Sequence, residues 1–130
     1  MSQLSILIVE DDLEIRNMLT WILETEGYSI ATAENGMDGL AMVEDFQPDL
    51  VMLDGYMPLL DGAGFARQLQ ERGLSFPILA MTANRGTEWP EEIGAIASIS
   101  KPFDLDELLP LVARLTADLA ASAANPPEAR

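Results

Sequence analysis

Acidic side chains follow two short apolar runs of this sequence, each at the point where the run ends. Glu10, Asp11 and Asp12 come directly after the first run, and Asp54 comes directly after a later one. Carboxylates brought close together repel one another, and the usual relief is a hard cation such as Mg²⁺, which prefers oxygen ligands. For Glu10 to Asp12 alone, a solvated acidic turn is an equally good interpretation. Asp54 on a neighbouring strand favours a metal site.

Two further apolar runs end in side chains of complementary character. Thr82 ends the fourth run, and Lys101 follows the fifth. Taken singly, the threonine is an ordinary strand-end cap and the lysine an ordinary surface residue. At one edge with Asp54, a hydroxyl and an ammonium would instead donate to the oxygens of a phosphoryl group on that carboxylate.

The composition of the chain narrows the chemistry that it can perform. Its 130 residues include no histidine and no cysteine, which excludes disulfides, thiol catalysis and the commonest zinc ligand. Seven basic against 22 acidic residues give a formal net charge of -15, which disfavours binding to nucleic acid and to anionic membranes. Because the sequence has no signal peptide and no long apolar segment, we expect one soluble, cytoplasmic domain.

Five short apolar runs alternate with segments whose apolar residues repeat at helical spacing. Several runs are apolar at nearly every position, which is typical of parallel strands covered by helices on both faces. The pattern predicts a doubly wound α/β sandwich, in which ligands bind beyond the carboxyl ends of the strands. The residues whose side chains could bind a metal or a phosphoryl group all lie at those ends. The predicted strands are 5–9, 28–33, 50–53, 78–81 and 96–99.

Five motifs at these strand ends follow one another in a specific order. They closely resemble those of response-regulator receiver domains of two-component systems, in particular the single-domain chemotaxis-regulator type. The resemblance implies a receiver domain over residues 1–119, and the Ala- and Pro-rich residues 120–130 are expected to form a flexible tail. The motifs are Ile-Val-Glu-Asp, Met-Leu-Asp, Met-Pro-x-x-Asp-Gly, Met-Thr-Ala and Ser-Lys-Pro-Phe.

The resemblance implies a five-stranded flavodoxin-like sheet of order 2-1-3-4-5, with helices on both faces. It also implies that Asp54 accepts a phosphoryl group and that Mg²⁺ or Mn²⁺ is the cofactor. Asp11 and Asp54 would bind the metal directly, and Glu10 would act largely through water. The backbone carbonyl of Tyr56 would be a further ligand, whereas Asp12 would be a neighbour of the acidic pair.

The remaining implied roles concern transfer and signalling. Thr82 would be the hydroxyl that swings towards the phosphoryl group, Lys101 would bind another phosphoryl oxygen, and the Lys101–Pro102 bond would be cis. The implied phosphodonor is a sensor histidine kinase or a histidine phosphotransfer protein. The chain would then signal by contact with an unknown downstream protein, and it would be no enzyme beyond its own phosphorylation and dephosphorylation.

The chain departs from the receiver pattern around its fourth helix. Ser98 stands three residues before Lys101, where the family usually has an aromatic residue coupled to the switch hydroxyl. Residues 84–93 lack apolar periodicity, so we expect the fourth helix to be short, irregular or missing. Receivers usually present this region to partners or to a twin copy, so we expect a remodelled face and leave a homodimer open. We hypothesise that phosphorylation orders residues 84–95.

Two positions that commonly tune phosphoryl lifetime in receivers carry Tyr56 and Asn84. A bulky Tyr56 would shield the acyl phosphate from water, which predicts a longer-lived phosphorylated state. Packing of Tyr56 on the loop surface is the simpler alternative.

Three functions are compatible with an aspartate at this position. The leading one is a stand-alone receiver, because no output domain is visible after the last predicted helix. An enzyme of the haloacid-dehalogenase kind also uses an aspartyl nucleophile, but it needs a second aspartate where Tyr56 stands. A pseudo-receiver that binds a partner constitutively, without phosphorylation, stays open because of Ser98 and the altered fourth helix.

Overall fold

The sheet has the predicted topology. The computed structural model describes residues 4–83 and 88–124 of the chain, with side chains as far as residue 122. All four strand pairings are parallel, and the order is β2-β1-β3-β4-β5, which confirms the predicted doubly wound sheet. The strands are β1 (Ser5–Val9), β2 (Ser29–Ala33), β3 (Leu50–Asp54), β4 (Ile78–Thr82) and β5 (Ala97–Ser100).

Helices cover both faces of the sheet and divide the core in two. Alternate residues of each strand point to opposite faces, so Ile6 and Ile8 pack beneath α1 and α5, while Leu7 and Val9 pack beneath α2 and α3. Burial on both faces explains why the central strands are apolar throughout. The helices are α1 (Leu13–Thr25), α2 (Gly36–Phe46), α3 (Gly62–Glu71), α4 (Trp89–Glu92) and α5 (Leu105–Ala124).

The fourth and fifth helices differ in how well they were predicted. With four residues, α4 is short, as expected. In contrast, α5 continues past residue 119 to Ala124, so the first five residues of the predicted tail at 120–130 are helical, and the flexibility of the tail stays a prediction. The alanines of residues 120–124 are strong helix formers and simply extend the preceding turns. The rest of that tail and part of the segment hypothesised to order on phosphorylation (84–87) lie outside the described residues.

The strand register brings the chemically interesting residues to one edge. Val9 lies beside Leu53, and Asp54 lies beside Met81, so β1, β3 and β4 end at nearly the same level. The backbone N–H of Lys101 donates to the carbonyl of Thr82 at 2.7 Å, which ties the end of β5 to the end of β4. None of the helices within residues 4–83 and 88–124 is long and apolar enough to cross a membrane.

Candidate functional site

Three carboxylates meet at the carboxyl edge of the sheet. One oxygen from each of Glu10, Asp11 and Asp54 lies within 4.8 Å of the other two. Glu10 is fully buried and Asp54 is only 6% exposed, while Asp11 faces solvent. Asp12 has a different role, because its side chain accepts a hydrogen bond from the backbone N–H of Ile15 at 3.1 Å and caps α1.

Lys101 brings a positive charge to these carboxylates. Its Nζ lies 2.5 Å from Oε1 of Glu10 and 3.1 Å from Oδ1 of Asp54. The side chain of Lys101 is 19% exposed, so the pairs are largely shielded from water. One ammonium therefore bridges the ends of β1 and β3, which the sequence prediction did not specify.

Burial dominates the ionisation of this cluster. It raises the pKa of Glu10 to about 7, although the contacts with Lys101 and the backbone N–H of Asp12 oppose the rise. Burial also raises the pKa of Asp54, again against the effect of Lys101. For Lys101, burial opposes the charged form, but the two carboxylates outweigh it and raise the pKa. The single ammonium of Lys101 therefore does not fully compensate the negative charge of the Glu10 and Asp54 carboxylates.

The donor set fits a hard divalent cation. Glu10, Asp11 and Asp54 present carboxylate oxygens within reach of one ion, and the charge deficit at Glu10 and Asp54 is what such an ion would relieve. The Tyr56 side chain is 65% exposed and lies in the loop after β3. The role of its backbone carbonyl as a ligand stays a prediction.

Thr82 lies at the same edge but does not hydrogen-bond to Asp54. It is buried, and its hydroxyl donates to the carbonyl of Ile99 at 3.4 Å, a long and therefore weak bond. Ser98, one residue earlier on β5, is exposed. The Lys101–Pro102 bond is cis, as the resemblance implied.

Two residues that support the site were missed in the sequence. Arg16 donates from Nη1 to the carbonyls of Glu10 at 2.8 Å and Asp11 at 3.3 Å, and so holds the acidic loop from α1. Its only signal was a basic residue one turn into a helix that follows acidic residues. Trp89 packs on the backbone of Gly55, next to Asp54. A tryptophan before a proline in a segment without periodicity gave no sign of this.

Comparison with known proteins gives matches that agree with this geometry. A model of the response regulator receiver domain matches residues 6–113. Response regulator MprA of Mycobacterium sp. (strain KMS) is 39% identical over 107 residues, which are 80% of this chain and 46% of that protein. MprA of Mycobacterium avium (strain 104) is equally similar, with 47% of its length covered. The chain thus spans about half the length of the curated relatives it matches.

Solved structures match over most of the chain. The chemotaxis protein CheY4 of Vibrio cholerae is 28% identical, with a TM-score of 0.80 over 87% of this chain and 98% of that one. TrrA of Thermotoga maritima, solved in complex with Mg²⁺-BeF, is 34% identical, with a TM-score of 0.76 over 87% and 99% of the two chains.

Proposed function

Because the chain belongs to the response regulator receiver domain family, we propose that it takes a phosphoryl group onto Asp54 and passes the signal on by protein contact. The phosphodonor is a histidine kinase or a histidine phosphotransfer protein. One observation carries the proposal: Oδ1 of Asp54 lies 3.1 Å from Nζ of Lys101, within a cluster that also holds the carboxylates of Glu10 and Asp11.

The transfer step uses Asp54 as the nucleophile. An ionised Asp54 oxygen attacks the phosphorus of a phosphohistidine, so that a P–O bond forms while the P–N bond breaks. The histidine nitrogen leaves with the bonding electron pair and later takes up a proton. Catalysis of such a step consists of positioning and charge neutralisation, which is what the edge of this sheet offers.

Charge neutralisation is divided between the lysine and a metal site. Lys101 would exchange its contact with the Asp54 carboxylate for one with a phosphoryl oxygen while it keeps its contact with Glu10. Glu10, Asp11, Asp54 and the Tyr56 carbonyl would hold Mg²⁺ or Mn²⁺, which when bound neutralises charge on the phosphoryl oxygens.

Thr82 is the residue that would change conformation when Asp54 is phosphorylated. Among the described residues its hydroxyl makes only a 3.4 Å hydrogen bond, to the carbonyl of Ile99, and loss of that long bond costs little when the hydroxyl turns towards a phosphoryl oxygen on the neighbouring strand. Exchange of a weak acceptor for a charged one favours this rotation. β4 would thereby report the state of Asp54 to α4 and β5.

The proposal covers the class of protein as well as the site. The chain catalyses only its own phosphorylation and dephosphorylation and acts on no separate substrate. A net charge of -15 favours protein partners over nucleic acid or anionic membranes, and the absence of cysteine is in keeping with the cytoplasm.

Labelling with acetyl phosphate and Mg²⁺ tests the proposal, with products separated on a phosphate-affinity gel. We expect a retarded band for the wild type and for Asp12→Asn, whose asparagine still caps α1. Asp54→Asn removes the nucleophile and should give no retarded band. An unlabelled wild type would contradict the proposal and favour a constitutive binding module. Equal labelling of Asp54→Asn would move the acceptor elsewhere.

A further inference from the structure

The indole ring of Trp89 lies directly on the backbone of Gly55. A Cβ placed on Gly55 would lie 2.7 Å from Cε2 and Cζ2 of the ring and 2.8 Å from its Nε1, so there is no room for a side chain. A Cβ on Gly62 would lie 3.2 Å from Cζ3 of the same ring. Gly62 and Gly55 are themselves joined by an N–H to carbonyl hydrogen bond of 3.0 Å. Trp89 therefore covers the point where the two ends of the β3–α3 loop meet.

This covered backbone is the part of the chain that carries Asp54. Gly55 is the next residue, and its N–H donates to the carbonyl of Met81 at 3.3 Å. A Cβ on Gly62 would lie 2.7 Å from the carbonyl oxygen of Asp54, so that peptide is enclosed as well. A shift of the Asp54–Gly55 peptide has to push against the indole ring, because close-packed groups transmit small displacements.

The element that carries Trp89 is weakly held. Trp89 is the first residue of the four-residue helix α4, and Glu88 before it makes no side-chain capping hydrogen bond within the described residues. The Nε1 of Trp89 is buried and has no hydrogen-bond acceptor among the residues that the structure describes. A buried donor without a partner favours any rearrangement that brings an acceptor to it. The unsatisfied indole N–H therefore favours a change in the packing of the ring.

We propose that Trp89 is a positioning residue that couples the phosphoacceptor loop to α4. Modification of Asp54 changes the packing of the indole on Gly55, and because coupling between two binding equilibria is reciprocal, the indole in turn sets the affinity of the Asp54 site for a phosphoryl analogue such as beryllofluoride. The inference rests on the proposed phosphorylation of Asp54. In this proposal the aromatic residue of the switch is provided by α4. Strand β5 has the sequence Ala-Ser-Ile-Ser and provides none.

Tryptophan fluorescence tests the first half of the proposal. The chain has two tryptophans, and Trp21 on α1 is 71% exposed, so Trp21→Phe leaves Trp89 as the only indole at little structural risk. Beryllofluoride with Mg²⁺ serves as the phosphoryl analogue, and its binding is followed independently by the ¹⁹F NMR signal. We expect the emission of Trp89 to change in parallel with that signal. The matched control, Trp89→Phe with Trp21 retained, should show no such change.

Binding affinities test the second half. We expect Trp89→Ala to change the Kd for beryllofluoride with Mg²⁺, measured by ¹⁹F NMR, at least about fivefold, the lower end of typical couplings. Trp89→Phe keeps a ring on Gly55 and should restore most of the wild-type affinity. Gly55→Ala should alter the affinity strongly in the wild type and less in Trp89→Ala, since the added methyl group then meets no indole. Circular dichroism of each variant checks that it is folded.

The outcomes separate this inference from the proposed function. If beryllofluoride binds by ¹⁹F NMR while the emission of Trp89 stays constant and Trp89→Ala binds it with the wild-type affinity, the coupling is refuted and Asp54 remains the acceptor. If no variant binds beryllofluoride or becomes labelled, the proposed function fails and the inference fails with it. A change in the emission of Trp89 together with a change in the affinity of Trp89→Ala for beryllofluoride supports both.

Discussion

Strand β3, which ends at Asp54, and helix α4, whose Trp89 packs on the next residue, Gly55, are built very differently. Every residue of β3 is buried, and the strand is paired on both sides. In contrast, α4 has four residues, and only Pro90 among them is buried. From this difference we expect the proposed chemistry to be held by the well-packed strand and the response to phosphorylation to arise in the less buried α4.

The largest expected contrast is in the free energy of unfolding. Met52→Ala opens a cavity in the middle of β3 and should cost about 2–5 kcal/mol. Ile93→Ala, at the half-buried C-terminal end of α4, should cost only about 1 kcal/mol. Urea denaturation of both variants measures the difference. Equal losses of stability would mean that α4 packs as firmly as β3, which would contradict the difference between the two elements.

Removal of Lys101 tests how much the residues at the strand ends contribute to the rate of phosphorylation. Lys101→Ala takes away the cation that lies 3.1 Å from Asp54, so labelling by acetyl phosphate should slow by a factor on the order of 100. Lys101→Arg keeps the charge at a different geometry and should lose less. Initial rates on a phosphate-affinity gel give the ratio, and an unchanged rate for Lys101→Ala would remove the lysine from the site.

The sequence predicted the strand ends but not the packing of Trp89, because the two depend on different features of the chain. Asp54, Thr82 and Lys101 could be assigned to one edge because buried parallel strands are recognisable as apolar runs and their ends must meet. The packing of Trp89 on Gly55 could not, since it joins residues distant in the chain and depends on the absence of a side chain. Likewise, the hydrogen bond from Thr82 to Ile99 is a choice of rotamer, which residue types do not reveal.

The pH dependence of stability probes the buried charges. The pKa of Glu10 is raised from 4.5 to about 7 by burial, so between these values the metal-free folded protein keeps a proton that the unfolded chain has lost. The contribution is fully present below about pH 4.5 and disappears as the pH rises to about 7, so the free energy of unfolding should fall across this window. Glu10→Gln should flatten the trend, and a rise in its place would contradict the shift.

Metal binding should show the opposite trend, because the carboxylates must lose their protons to bind a cation. The increase in Tm caused by Mg²⁺ should therefore grow from pH 5 to pH 8. Thermal melts with Mg²⁺ and with EDTA measure the increase, and Asp11→Asn is the variant expected to reduce it. An increase independent of pH would argue against a site formed by Glu10 and Asp54.

The smallest effect is expected at the helix that follows the phosphoacceptor loop. Asp61 caps α3 by accepting a hydrogen bond from the N–H of Gly64 at 2.7 Å. Asp61→Ala should cost about 1 kcal/mol in the free energy of unfolding, while Asp61→Asn should cost less. Labelling of Asp54 should persist in both variants. A loss of labelling would show that the loop is less rigid than the strand it leaves.

The central claim, that residue 54 carries the phosphoryl group, is tested most directly by locating the modification. Protein labelled with acetyl phosphate and Mg²⁺ is reduced with borohydride, which converts a phosphorylated aspartate to homoserine, and its peptides are sequenced by mass spectrometry. We expect homoserine at position 54 and an unmodified aspartate at positions 11 and 12. Homoserine at another position, or none in labelled protein, would contradict it.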